Sequence, residues 1–152
     1  MSYSAQTIVD AVYLAFGPLG LPLSTSGTAC MYAGPDGTGC AIGVLLPRDL
    51  AKELDRTSPT ASGLYASADQ REPYARAVAI LGKKNRELLS RLQTLHDTKA
   101  STPAGLAEAV RRTAEVYGLL DPARLDGEPV DVALAGLLGD AFRETHTNLV
   151  PA

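Results

Sequence analysis

The sequence predicts an α+β domain, mainly helical, in which one β-hairpin (about 28–46) packs against four to five helices. Two observations predict it. Apolar residues recur at three-to-four spacing between recognisable caps in several stretches, and a glycine-rich turn between Cys30 and Cys40 leads into a continuous apolar run. The chain has 152 residues, 45% hydrophobic and 20% charged. That is enough for a single domain, 1–152, that buries roughly 70% of its unfolded surface.

Ser4 is placed to cap a first helix, with Ile8, Val12, Ala15 and Phe16 along one face and Gly17-Pro18 as its stop. Residues 19–27 carry proline, serine and glycine without a period and are expected to cross the surface. In Gly34-Pro35-Asp36-Gly37, proline, aspartate and glycine each take the backbone conformation that a tight turn demands of their positions. If Gly34 pairs with Thr38, Tyr32 faces Cys40 and Cys30 faces Ile42, so all four share one side of the ribbon. The two thiols would then be diagonal, about 7–8 Å apart, which is long for an unstrained disulfide.

Arg48 to Leu54 reads as a short helix with Leu50 and Leu54 inward, followed by a long polar loop from Thr57 to Glu72. From Pro73 to about His96 a single long helix is expected, with Leu81, Leu88, Leu92 and Leu95 within roughly 60° of one another. Thr102 as cap, Pro103 at the first position, Leu106, Val110, Thr113 and Tyr117 inward, and Gly118 as stop announce the next. A last helix is expected from about Pro129 to Thr145, carrying Val130, Leu134, Leu137, Leu138 and Ala141, with Gly136 and Gly139 permitting close approach.

Composition excludes several function classes. A net charge of −3 argues against general, phosphate-driven nucleic-acid binding. The run from Val9 to Leu23 holds Asp10 and is broken by Pro18 and Pro22, so neither a signal peptide nor a membrane span is expected. Two cysteines are too few for a disulfide scaffold and suit reduced thiols, making the cytoplasm the expected compartment.

Chemistry-bearing residues are sparse. Cys30 and Cys40 admit three readings. The first is small hydrophobes in the core. The second is a thiol nucleophile at Cys40, with His96 as base and the amides of Thr38, Gly39 or Ala41 around an oxyanion. The third is a zinc site completed by His96 and His146, although no Cys-x2-Cys knuckle is present. His96 sits at the edge of its helix's apolar stripe, where a dipole at a helix C-terminus also explains it. Asp97 diverges from it by 100° and suits a helix end. No cofactor motif is complete: the glycines of the turn precede no Gly-Lys-Ser/Thr. Arg111 and Arg112 diverge on their helix and read as a solvated face.

The segment Cys30-x-Tyr32-x-Gly34-Pro35-Asp36-Gly37-x-x-Cys40-Ala41-Ile42-Gly43, with Leu45-Leu46-Pro47 and Leu92-Gln93-x-x-His96-Asp97, resembles a group of small uncharacterised bacterial and phage proteins. The match covers about a fifth of the chain and implies no activity. It implies that the two motifs belong to one unit. A basic residue often stands in that pattern where this chain has Ala33 and Gly39, and a Glu-Gly pair where it has Ser62-Gly63, which counts against an anion site in the turn.

The expected function is therefore that of a non-enzymatic cytoplasmic binding or accessory protein, of phage or plasmid origin. Its site or partner surface would lie near the hairpin, at Cys30, Tyr32, Asp36, Cys40, His96 and Asp97, and its partner would be a small molecule or a protein. The first alternative is a thiol-dependent hydrolase or transferase using Cys40 and His96. The second is an oligomeric helical structural protein, resting on Gly136, Gly139 and the apolar last helix.

Overall fold

The computed structural model describes residues 2–18, 41–56, 64–65, 72–96 and 102–126. They form five α-helices: α1 (Ala5–Phe16), α2 (Arg48–Asp55), α3 (Tyr74–Leu81), α4 (Arg86–Thr94) and α5 (Pro103–Val116). Short 3-10 turns at Gly43–Leu45, Lys83–Asn85 and Pro122–Leu125 join or extend them.

α1 begins where the sequence places it, because the Ser4 hydroxyl accepts the Thr7 N–H at 3.1 Å. Every residue from Ile8 to Phe16 is buried. A helix enclosed on all sides is a central one, and α1 packs chiefly against α5, with the turns Gly43–Leu45 and Pro122–Leu125 also in contact. Its buried residues join Leu50, Leu54, Leu64, Leu81, Leu89, Leu92 and Leu106 in one apolar cluster. α5 also follows its sequence signals. Thr102 accepts the Gly105 N–H at 3.0 Å, Pro103 opens the first turn, and Gly118 follows the helix with φ +69°.

The α+β expectation is corrected. Among the described residues there is no strand. The predicted second strand of the hairpin is, from Ala41 to Leu46, a turn and a 3-10 helix. Its amides bond locally: Leu45 N–H to the Ile42 carbonyl at 3.0 Å, and Leu46 N–H to that of Gly43 at 3.2 Å. All six residues are buried, as the apolar run implied. A short continuous apolar run looks the same in a strand and in a buried helical turn, and here the local bonds won. Ile42, expected to pair with Cys30, has helical backbone angles (φ −80°, ψ −41°) and gives its N–H to Gln93; Cys30 lies outside the described residues. The first predicted strand, the tight turn and the last helix, 129–145, lie outside the described residues.

The single helix expected from Pro73 to His96 is also corrected. Gly82, at φ +93°, breaks it, so α3 and α4 meet through the Lys83–Asn85 turn. Buried Asn85 fixes this corner by donating from Nδ2 to the carbonyls of Tyr3 and Leu81, both at 2.8 Å. Tyr3 fastens the corner from outside: its N–H donates to the Ile80 carbonyl at 3.1 Å, and its hydroxyl to that of Leu45 at 2.9 Å. In the predicted loop 57–72, Leu64 and Tyr65 are helical, Leu64 is buried in the cluster, and the Tyr65 hydroxyl donates to the Gly82 carbonyl at 2.7 Å. No described helix is long and apolar enough to cross a membrane.

Candidate functional site

Of the residues expected to carry function, His96 is described; Cys30, Tyr32, Asp36, Cys40, Asp97 and His146 lie outside the described residues. His96 stands in a π-type turn that ends α4, is only 3% exposed, and meets Phe16 edge-on with ring centroids 5.8 Å apart. In these surroundings it is a core histidine. Among the described residues no group of three or more His, Cys, Asp or Glu is placed to hold a metal ion.

The side-chain Oε1 of Gln93, from the Leu92-Gln93-x-x-His96 stretch, accepts the backbone N–H of Ile42 at 3.3 Å. The residues just after Cys40 are therefore held against α4.

The opposite flank of α4 borders a groove of about 830 Å³. Its α4 wall consists of Ser90, Arg91, Thr94 and Leu95, which share one side of a 3.6-residue helix. The α5 wall consists of Gly105, Glu108, Ala109, Arg112, Thr113 and Val116, again one side of a helix, turned roughly 115° from the stripe that packs on α1. The small side chains at Gly105 and Ala109 leave room between the helices. Val116, 70% exposed, adds an apolar edge.

Charges around the groove are unequally engaged. Arg111, next along α5, turns away and grips Asp121 with two bonds of 3.1 and 2.9 Å while also reaching Glu108 at 3.1 Å. The Arg111 guanidinium, with help from the Ala123 N–H, holds the Asp121 carboxyl down at about 2. Arg112 reaches Glu108 only through Nε at 3.8 Å and is 79% exposed. Arg91 lies 5.9 Å over the Tyr117 ring, and among the described residues it pairs with no carboxylate. A second cleft, of about 550 Å³, lies beside Arg111 and Asp121, where the ion pairs just named already occupy much of the charge.

Sequence reasoning missed this groove because it followed only the Leu106, Val110, Thr113 and Tyr117 stripe. The available signal was a second weakly polar line on the same helix, Gly105, Ala109 and Val116. It also missed a buried ionic clasp. Asp10, 6% exposed inside α1, receives both Nη atoms of Arg124 at 2.9 and 2.8 Å and the Gln6 amide at 3.0 Å. Gln6 in turn exchanges two bonds with the backbone of Leu120. The Tyr13 hydroxyl donates to Asp126 at 2.8 Å; burial first and this carboxylate second push it up to about 12. These contacts seat residues 120–126 on α1.

Compared with known proteins, the chain matches no family model, no curated protein and no solved structure.

Proposed function

We propose that the chain is a non-enzymatic binding protein that takes a small molecule with an apolar body into the groove between α4 and α5. The observation that carries this reading is the groove itself. At about 830 Å³ it has the size of a small-molecule site, apolar side chains at Leu95 and Ala109 with Val116 at the edge, and a few polar groups around them. This placement differs from the expected one around Cys40 and His96; of that expected site the described residue, His96, does not line the groove. α4 holds Ile42 with Gln93 on one side and lines the groove with Arg91 and Leu95 on the other.

The test is a fluorescence titration with N-phenyl-1-naphthylamine, a neutral apolar probe, against the wild-type chain and Ala109→Phe. Ala109 is half-buried in the α5 wall, so phenylalanine there fills the groove from its side. Saturable binding that the substitution abolishes, with unchanged far-UV circular dichroism, supports the reading. Binding that survives Ala109→Phe undiminished, or no binding at all, removes it.

A further inference from the structure

Two arginines face this groove from opposite walls, Arg91 on α4 and Arg112 on α5, against one carboxylate, Glu108. That carboxylate is closer to Arg111, at 3.1 Å, than to Arg112, at 3.8 Å. Arg111 spends its other contacts on Asp121. Arg91 lies over the face of Tyr117, whose hydroxyl Glu87 also faces, and forms no ion pair among the described residues. Among the residues that line the groove, two guanidinium groups stand against one carboxylate, beside apolar side chains, while Glu87, at the Tyr117 hydroxyl, is outside the lining. A cationic ligand would be repelled, and a neutral one would use only the apolar side chains.

We infer that the occupant is an amphipathic anion, an apolar body bearing one carboxylate or sulfonate that sits between Arg91 and Arg112. This rests on the groove being a binding site. The apolar body lies along Leu95, Ala109 and Val116, while guanidinium N–H groups donate to the anionic oxygens in the charge-assisted geometry that arginine favours. Medium-chain carboxylates have this chemistry. Because both arginines are exposed, the anionic contribution is screened by salt.

The experiment uses a matched pair of probes on the full chain: N-phenyl-1-naphthylamine and 8-anilino-1-naphthalenesulfonate, which share an aromatic body and differ by the sulfonate. At low salt the sulfonate should bind about tenfold more tightly, as expected of one exposed charge-assisted contact. Arg91→Gln with Arg112→Gln should bring the affinities of the two probes together, the ratio between them being the quantity read. Decanoate should displace either probe from the wild-type chain at lower concentration than decanol. Equal affinity for both probes, or a sulfonate preference that survives the double substitution, overturns the anionic assignment while the neutral probe still reports a site. Failure of both probes to bind overturns the site and the assignment together.

Discussion

Replacing Arg124 with methionine probes the ionic clasp most directly. The variant leaves the Asp10 carboxylate buried, with only the Gln6 amide at 3.0 Å in place of three donor contacts. Breaking a fully buried pair from one side costs about 3–5 kcal/mol. Here the Arg124 side chain is 37% exposed while that of Asp10 is 8% exposed. Water can partly replace the guanidinium, which reduces the expected cost to about 2–3 kcal/mol. In a chain of this length that is a fall in Tm of roughly 4–12 °C. Asp10→Leu should cost less, because the arginine it strands can turn to solvent. The pair Asp10→Leu with Arg124→Met should recover to within about 1 kcal/mol of the wild type, since both charges are gone and Gln6 keeps its bonds to Leu120. Urea denaturation followed by far-UV circular dichroism measures all four proteins. Additive single effects, or an Arg124→Met variant within about 0.5 kcal/mol of the wild type, would refute the reasoning.

Gly82→Ala should destabilise by about 2–4 kcal/mol, because φ +93° is glycine territory and the new Cβ would stand 2.8 Å from Asn85 Nδ2. Gly118→Ala, at φ +69° with nothing within 4 Å, should cost about 1 kcal/mol, and a Gly82 variant no worse than this one counts against the Asn85 corner. The Tyr13 and Tyr65 hydroxyls, both raised to about 12 with burial as the first cause, should be late to ionise in absorbance at 295 nm. Their folded values lie above the ordinary 10, so the stability they contribute is present below pH 10 and lost as pH rises through 12. A difference titration against Tyr13→Phe that shows ionisation near 10 in folded protein contradicts this. For Asp121, held down to about 2 first by its bond from Arg111, the contribution is present above the ordinary 3.8 and lost as pH falls towards 2. Carboxyl carbon shifts by NMR should show it still ionised at pH 3, and Arg111→Met should move its titration back towards 3.8.

The starts of α1 and α5 and the stop of α5 were legible, whereas the Asp121 cap of the Pro122–Leu125 turn was not anticipated. Ser4 and Thr102 accept the amides their positions imply, and Gly118 takes the left-handed turn. Inward positions followed from spacing: Leu50 and Leu54 in α2, and Leu106 and Val110 in α5, are all buried. The misses have separate physical causes. Gly82 was hidden because the leucine stripe on either side of it keeps helical spacing, and only the bonds of Asn85 to Tyr3 and Leu81 favour the corner. Ala41–Leu46 carried burial but no period, so burial was legible and conformation was not. The Asp10–Arg124 clasp joins residues 114 positions apart, a distance over which local patterns carry no information. The groove is lined by residues of two separate helices, α4 and α5, and the packing that seats α5 on α1 joins segments far apart in the chain, which no local pattern records.

Tyr3 has a consequence for the order in which the molecule can assemble. It is held by Leu45, 42 positions downstream, and by Asn85, 82 positions downstream. Neither bond can close until those residues have left the ribosome, so a segment made early waits on partners made much later. α1, beside it, likewise takes its main neighbour, α5, from the far side of that interval. Long-range closure of this kind slows folding relative to a bundle of sequential hairpins. During synthesis the enclosed face of α1, Ile8 to Phe16, therefore stands uncovered, and this is the stretch on which a nascent-chain chaperone would act.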